Sequence, residues 1–274
     1  MNSTICFIGA GNMSRSLIGG LLASGYDKSK VWASDPNTDT TESLSQRFDI
    51  KCYSDNQQAI QQADIVVLAV KPQQLQALSK SLAPTVQNKK PLLISIAAGV
   101  RSADIDRWLG NNQAIVRSMP NTPALIQAGA TGLFANPKVT STQKADAEHI
   151  LRAAGLTLWV NQENQLDAVT ALSGSGPAYY FLFMEAMEAA GKQLGLDPKT
   201  AHLLTLQTAF GAAKMALESA DDCATLRQQV TSPNGTTEQA IKSFESDQFS
   251  AIVSRAMHAS HKRAQQLADE LGEE

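Results

Sequence analysis

The chain has 274 residues, of which 43% are hydrophobic, and it carries a formal net charge of −3 at pH 7. This length accommodates one large domain or two ordinary ones, with enough apolar side chains to form real cores. This charge provides no basic field for nucleic acid or an anionic membrane. The chain has three cysteines and four histidines, and because they lack the spacing of metal ligands, they indicate no metal site.

The first predicted elements are a strand at 4–8, a glycine turn and the start of a helix. Gly9 allows a tight turn, and Gly11 lacks the Cβ that would hold a pyrophosphate away from the backbone. The first N–H groups of the helix and its positive dipole end would then face those phosphates. Ser14 replaces the third glycine of the dinucleotide fingerprint, and an ordinary strand-to-helix turn is the alternative interpretation.

The second strand is predicted at 31–35 and ends in an acidic side chain. Asp35 lies about 20 to 25 residues beyond the glycines, where dinucleotide-binding folds place the group that meets the adenine ribose. A carboxylate there accepts hydrogen bonds from both ribose hydroxyls and repels a 2′-phosphate, which favours NAD. Ser34, Asn37 and Thr38 could instead donate to that phosphate, and Asp35 could merely cap the following turn. The choice between NADP and NAD therefore stays open.

The chain then alternates predicted helices and strands up to residue 160. The strands are predicted at 51–53, 65–69, 92–96, 115–118, 132–135 and 156–160, and the helices at 42–48, 57–62, 73–82, 103–109 and 142–154. Asn56 is expected to cap the helix that follows it. Strand ends in such sheets face the cofactor crevice, so two segments are candidate walls for the ribose and nicotinamide. They are Ala69, Val70, Lys71 and Pro72, and Ile96, Ala97 and Ala98. The proline-bracketed loop 119–123 is either a further wall or a structural turn.

Strand signals stop after residue 163. Helices are predicted at 167–172, 178–194 and 201–217, with segment 173–177 breaking the first from the second. The helix at 178–194 is apolar on nearly every face, and such a helix must be buried all round. One chain of this size offers too little to cover this helix and the similar one at 201–217, so we expect a second subunit that interleaves with them; a solvent-exposed groove is the alternative.

The segment 231–239 is the predicted chemical loop. Thr236 and Gln239 have the spacing of a capping box at the start of a helix. The loop also supplies more hydroxyls and free N–H groups than a cap needs, and such a nest of donors at a helix N-terminus suits a carboxylate. The absence of recognisable acid and base pairs fits chemistry that needs only a nicotinamide and a positioned acceptor.

This combination resembles the pyrroline-5-carboxylate reductases, which catalyse the last step of proline biosynthesis. The resemblance runs from Ile5 to about Leu267 and is carried by segments 7–13, 69–72, 95–99, 119–123, 173–179 and 226–245. It implies an α/β plus all-α architecture, with a Rossmann-type NAD(P)-binding domain at 1–162 and a helical dimerisation and substrate-binding domain at 163–274. The implied activity is reduction of the C=N bond of 1-pyrroline-5-carboxylate to L-proline by hydride transfer from NADPH or NADH.

The resemblance also implies the roles of individual residues. The cofactor is expected over Gly9, Ala10, Gly11, Asn12 and Met13, at Ser34, Asp35 and Asn56, and along 69–72 and 96–98. The substrate is expected to meet Glu163, Ser232, Gly235, Thr236 and Thr237. We take Thr237 as the catalytic residue, whose hydroxyl polarises the ring nitrogen while hydride passes to C5. Relatives often have two glycines where this chain has Asn234 and Gly235, and we expect asparagine to keep the loop shape because it tolerates left-handed angles.

Assembly and location follow from the same resemblance and from the sequence. We expect an interlocked homodimer, with further association into a decamer left open. No signal peptide and no bilayer-spanning run are recognisable, so the cytoplasm is the expected location.

Two rival functions remain: a hydroxyacid dehydrogenase of the 6-phosphogluconate type, with Lys214 as its catalytic lysine, and a non-catalytic dinucleotide sensor.

Overall fold

The computed structural model describes residues 2–273, and eight strands of this region form one sheet. The strands are β1 Ile5–Ile8, β2 Val31–Ser34, β3 Lys51–Tyr53, β4 Ile65–Leu68, β5 Leu92–Ser95, β6 Ile115–Met119, β7 Gly129–Ala135 and β8 Gly155–Trp159. Their spatial order is β3-β2-β1-β4-β5-β6-β7-β8, and every neighbouring pair is parallel except β6 and β7. All eight strands lie where the sequence predicts them, to within three residues at either end.

Twelve α-helices accompany the sheet within the described region. They are α1 Asn12–Ala23, α2 Thr38–Phe48, α3 Asn56–Ile60, α4 Pro72–Lys89, α5 Ser102–Trp108, α6 Ser141–Arg152, α7 Gln165–Val169, α8 Gly176–Gln193, α9 Pro198–Glu218, α10 Cys223–Gln229, α11 Thr236–Ser246 and α12 Phe249–Glu273. Short 3₁₀ turns occupy Lys28–Lys30 and Thr122–Ile126, and a π-helical turn occupies Thr170–Gly174. None of the helices between residues 2 and 273 combines the length and apolarity that a bilayer crossing needs.

The centre of the sheet is buried on both faces. In β1, Ile5 and Phe7 contribute to one apolar cluster, whereas Cys6 and Ile8 contribute to the cluster on the opposite face. This alternation follows from the two-residue period of a strand, and a continuous apolar run is what a strand covered on both faces requires. Burying one such large side chain stabilises the fold by roughly 1.5 to 3 kcal/mol.

The described chain forms two compact units, and their limits differ from the predicted division at residue 162. The first unit extends to Ser175 and includes the C-terminal segment from Ser260, and the second unit is Gly176–Ala259. In the C-terminal segment, Leu271 packs against one apolar cluster of the sheet, and Arg101 pairs with Asp269 at 2.5 Å. Side chains therefore tie the last turns of α12 to the start of α5 on the sheet.

Helix α4 is longer than predicted. The sequence predicts its end at residue 82, before Pro84, but the helix continues through Pro84 to Lys89. Proline removes one backbone hydrogen bond, and this cost is tolerated because Pro84 is on the exposed side while Leu82 and Val86 are buried. The apolar spacing of the buried face outweighs the local proline signal.

Segment 173–177 separates two helices over a shorter stretch than predicted, because the π-helical turn at Thr170–Gly174 extends into it and α8 begins at Gly176. The capping prediction for Asn56 is wrong. Asn56 does not cap α3 but is its first residue; the carboxylate of Asp55 caps the helix instead, accepting the Gln57 N–H at 2.8 Å. Aspartate at this position also favours the positive end of the helix dipole.

The long helices of the second unit present apolar side chains to solvent in the single chain. Phe181 is 65% exposed and Phe210 is 63% exposed. Other exposed apolar side chains on α8 and α9 are Tyr180, Leu182, Phe183, Met187, Leu203, Leu204, Leu206, Met215 and Leu217. Apolar patches of this kind mark interaction surfaces, which is the physical ground on which a partner subunit is expected.

Candidate functional site

The glycine turn between β1 and α1 is held tightly against the neighbouring strands. Gly9 has a φ of +100°, and a Cβ built on it would lie 2.5 Å from the carbonyl oxygen of Ala69. Only glycine fits there without strain. The fully buried Ser14 donates from its hydroxyl to the Gly9 carbonyl at 2.5 Å, so serine at the third fingerprint position ties the helix to the turn.

Gly11 occupies a different environment two residues later. It precedes the first residue of α1, where a Cβ would meet nothing within 4 Å, and no side chain caps this helix end. The first turn contains no acidic residue. Open space above uncapped N–H groups at a positive helix end is what a phosphate group needs, so these residues fit a dinucleotide.

The end of β2 lies beside this turn. Asp35 accepts the Ala10 N–H through Oδ2 and the Asn37 N–H through Oδ1, both at 2.9 Å. The turn-capping alternative for Asp35 is therefore observed, together with a bond to the glycine turn that the sequence did not indicate. Ser34 donates to the side-chain oxygen of Asn56 at 2.7 Å, so three residues expected at the adenine ribose lie at one strand end.

A cavity of about 330 Å³ adjoins the carboxyl ends of β4 and β5. It is lined by Met13, Ala69, Val70, Lys71, Pro72, Ile96, Ala97, Ala98, Met119 and Pro120. The structure thus brings together the two predicted wall segments, one residue of the glycine segment and two residues of the loop 119–123. Crevices at the carboxyl ends of parallel strands are where such folds bind ligands, which agrees with the predicted position.

The predicted chemical loop leads into α11 in the second unit. Asn234 has a φ of +59°, which confirms that asparagine adopts the left-handed conformation here. The expected capping box is wrong: Gly235 is the capping residue, and no side chain caps the helix. Glu238 instead reaches back to accept the Asn234 N–H at 3.0 Å. The first N–H groups of α11 therefore have no side-chain acceptor within the described chain.

The side chains of Thr236 and Thr237 are exposed at this helix start, as is Ser232. Between residues 2 and 273, no side-chain hydrogen bond engages the Thr237 hydroxyl, whereas the Thr231 hydroxyl donates to the Arg227 carbonyl at 2.6 Å. The Thr231 hydroxyl is therefore engaged by the preceding helix, whereas the Thr237 hydroxyl is open to a ligand.

Glu163 lies in the first unit and has three close partners there. Its carboxylate accepts the Ser102 N–H at 2.6 Å and the Ser102 hydroxyl at 2.7 Å, and it pairs with Arg117 at 3.3 Å. Arg117 is only 4% exposed. These contacts give Glu163 a structural role at the start of α5, and its expected contact with substrate stays a prediction.

Sequence reasoning missed Arg117, although an arginine inside the apolar strand sequence Ile-Val-Arg-Ser-Met is a visible signal. A charged side chain in a buried strand requires a partner, because its desolvation is otherwise uncompensated.

Lys214, the lysine of the rival dehydrogenase, lies on α9 with a largely exposed side chain, 3.7 Å from Glu218. The residues described contain no cluster of histidine, cysteine and acidic side chains that could hold a metal ion.

Two family models match the chain. Residues 4–99 match a model described as NADP oxidoreductase coenzyme F420-dependent, and residues 163–267 match one described as pyrroline-5-carboxylate reductase dimerisation. The first match covers the glycine turn and both wall segments, and the second covers α7 to most of α12. The Rossmann-type domain and the helical domain of the predicted architecture are thereby confirmed.

Full-length relatives carry the same assignment. The pyrroline-5-carboxylate reductase of Pseudomonas aeruginosa is 51% identical over 269 residues, covering 98% of each chain. A solved structure of a pyrroline-5-carboxylate reductase from Coxiella burnetii is 47% identical, with a TM-score of 0.95 over 98% of this chain and 99% of that one. A Plasmodium falciparum pyrroline carboxylate reductase solved with NADP bound has 29% identity and a TM-score of 0.84, covering 97% and 98% of the two chains. The chain belongs to the pyrroline-5-carboxylate reductase family.

Proposed function

We propose that this chain reduces the C=N bond of 1-pyrroline-5-carboxylate to L-proline with NADPH or NADH, the last step of proline biosynthesis. The observation that carries the proposal is the 51% identity to a pyrroline-5-carboxylate reductase across 98% of both chains. The chain is accordingly an NAD(P)-dependent oxidoreductase. This assignment agrees with the function expected from the sequence.

The residues around the glycine turn would hold the cofactor. The helix start after Gly11 offers uncapped N–H groups to the pyrophosphate, and Ser34, Asp35 and Asn56 are placed for the adenine ribose. The segments 69–72 and 96–98, which include Ala69, Ala97 and Ala98, line the 330 Å³ cavity that would take the nicotinamide half. When bound, the reduced nicotinamide supplies the hydride. The relative solved with NADP supports this cofactor class.

The loop before α11 would hold the substrate. Its helix start is not capped by a side chain, and a carboxylate is favoured there by the free N–H groups and the dipole. Thr237 carries an open hydroxyl at the same helix start and is our choice for the donor that polarises the substrate ring nitrogen. Holding two reactants in position can lower a barrier by roughly 7 to 11 kcal/mol, which suits a site with few acids and bases.

The second half of the chain would mediate assembly. The match at residues 163–267 is to a dimerisation domain, and it supports oligomerisation and the proposed division into domains at 1–162 and 163–274. The exposed apolar side chains of α8 and α9 support an interleaved dimer, and a decamer would need further contacts. The three cysteines of the described chain are all free, which supports the expected cytoplasmic location.

The rival functions have weaker support. A hydroxyacid dehydrogenase would need Lys214 as its catalytic lysine, but the ammonium group of Lys214 lies 3.7 Å from Glu218 on the same helix. A non-catalytic sensor would have no need for the substrate loop, which this chain retains with its left-handed Asn234.

The test compares two threonine-to-valine substitutions in one loop. Thr237→Val removes the open hydroxyl and is expected to lower kcat/KM for pyrroline-5-carboxylate by about tenfold to a hundredfold, corresponding to 1 to 3 kcal/mol for an unmet hydrogen bond. Thr231→Val removes the hydroxyl that the Arg227 carbonyl already engages, and it serves as the matched control.

Kinetics are followed as the loss of NAD(P)H absorbance, and the melting temperature is measured on the same preparations. Equal kcat/KM for Thr237→Val and the parent protein would remove Thr237 from the catalytic role. No turnover of pyrroline-5-carboxylate by the parent protein, with turnover of 3-hydroxyisobutyrate plus NAD, would instead overturn the proposed function.

A further inference from the structure

A second cavity lies in the first unit, and Glu163, the predicted substrate contact, is the one lining residue that the proposed reaction also involves. It measures about 440 Å³ and is lined by Arg101, Arg117, Glu163, Asn164, Asp167, Gln265 and Asp269. Every lining residue is charged or carries a side-chain amide. None of them lines the cofactor cavity. A polar cavity of this size is suited to a small polar ligand, because each buried polar group needs a hydrogen-bonding partner.

The charges that line this cavity are paired with one exception. Arg101 pairs with Asp269 at 2.5 Å, and Arg117 pairs with Glu163 at 3.3 Å. Asp167 is only 7% exposed, and no hydrogen bond to its carboxylate is formed by the residues described. The lining therefore retains one carboxylate, that of Asp167, which no hydrogen bond or ion pair of the described residues engages.

The environment of Asp167 reflects this isolation. Burial raises the pKa of its carboxyl, Arg117, His261 and Arg101 lower it, and Glu163 raises it further. The balance of these effects leaves the pKa above its usual value. A buried carboxylate without a hydrogen-bond donor is costly, and a cation that donates to it would remove most of that cost.

Arg117 supplies the complementary group. A guanidinium has five N–H donors, and in the described chain its one side-chain hydrogen bond is the contact between Nη1 and Glu163. Because Arg117 is only 4% exposed and lines this cavity, its other donors face either protein or the cavity. An acceptor on a ligand could engage them, as planar carboxylates do with arginine.

We propose that this cavity binds a zwitterionic α-amino acid. The ammonium group would donate to Asp167, and the carboxylate would accept from Arg117. A free amine satisfies only the first group and a free carboxylate only the second, so the two charges on one small molecule distinguish this class of ligand. Gln265 and Asn164 add amide groups that can contact the amino-acid side chain.

The experiment is isothermal titration calorimetry on the full chain with L-alanine as the probe, and with methylamine and acetate as its two halves. L-alanine is expected to bind saturably, and each half at least tenfold more weakly. Asp167→Asn is expected to weaken L-alanine binding about tenfold to a hundredfold, the order associated with a hydrogen bond to a charged group. Asp104→Asn is the matched control, because Asp104 is equally 7% exposed but pairs with Arg107 outside the cavity.

Two further measurements separate the outcomes. The carboxyl pKa of Asp167, followed by NMR, should fall when L-alanine saturates the protein. Thr237→Val should leave L-alanine binding unchanged. Binding lost in Thr237→Val but kept in Asp167→Asn would place L-alanine at the substrate loop and overturn the proposal. Absence of saturation up to concentrations on the order of 10 mM, equivalent to less than about 3 kcal/mol of binding free energy, would overturn it as well.

Discussion

The two glycines of the first turn should respond differently to the same substitution. Gly9→Ala places a Cβ 2.5 Å from the Ala69 carbonyl oxygen at a φ of +100°. The left-handed conformation costs about 1 to 2 kcal/mol and the overpacking about 1 to 3 kcal/mol, so the free energy of unfolding should fall by about 2 to 5 kcal/mol. Backbone atoms cause this clash, and they cannot move aside as a flexible side chain could.

Gly11→Ala should leave stability nearly unchanged and weaken cofactor binding. Its Cβ meets no atom within 4 Å, and the small loss of a favourable capping residue is offset by about 0.4 to 1 kcal/mol of reduced unfolded-state entropy. The methyl group would occupy the space above the helix start, where the pyrophosphate is expected. Losing one charge-assisted hydrogen bond there corresponds to about 1.5 to 3 kcal/mol, or a tenfold to hundredfold higher Kd.

Fluorescence titration with NADPH and thermal unfolding of both variants provide the assay. The expected pattern is a normal melting temperature with weak binding for Gly11→Ala, and a lowered melting temperature for Gly9→Ala. Unchanged NADPH affinity in Gly11→Ala would show that the cofactor does not pass over this helix start.

Three further substitutions test the ribose site, the assembly and the role of Glu163. Asp35→Ser should shift the ratio of kcat/KM toward NADPH over NADH by about tenfold to a hundredfold, whereas equal loss with both cofactors would mean that Asp35 acts only on the Ala10 and Asn37 N–H groups. Phe181→Asp should give monomers or insoluble protein in light scattering, because this side chain is 65% exposed in the single chain and a charge there opposes burial against a partner; an intact oligomer would contradict the assembly. Glu163→Gln should lower the free energy of unfolding by about 1 to 3 kcal/mol, because buried Arg117 loses its charged partner. A raised KM of this variant for pyrroline-5-carboxylate would support the predicted contact between Glu163 and the substrate.

The sequence was most informative where one physical requirement dominates a segment. The buried strands could be placed because only continuous apolar runs can be covered on both faces, and the left-handed Asn234 could be expected because few residues adopt that conformation. The cofactor walls followed from the position of strand ends in a parallel sheet.

The failures occurred where two local signals compete. Asp55 and Asn56 are both good capping residues, and only the position of the first helical turn decides between them. Pro84 favours a helix end, but the buried Leu82 and Val86 favour continuation, and packing determines the outcome. The contacts of Glu163 with Ser102 and Arg117 join residues 46 or more positions apart, so no local pattern could reveal them.

The exposed apolar side chains of α8 and α9 have a thermodynamic consequence. A chain that buries these side chains only on association has a folding equilibrium that includes a bimolecular step. By mass action, the midpoint of unfolding then depends on protein concentration, and a substitution in the second unit changes folding and association free energies together. A melting temperature for this protein therefore describes the assembly at a stated concentration, and not an intrinsic property of one polypeptide.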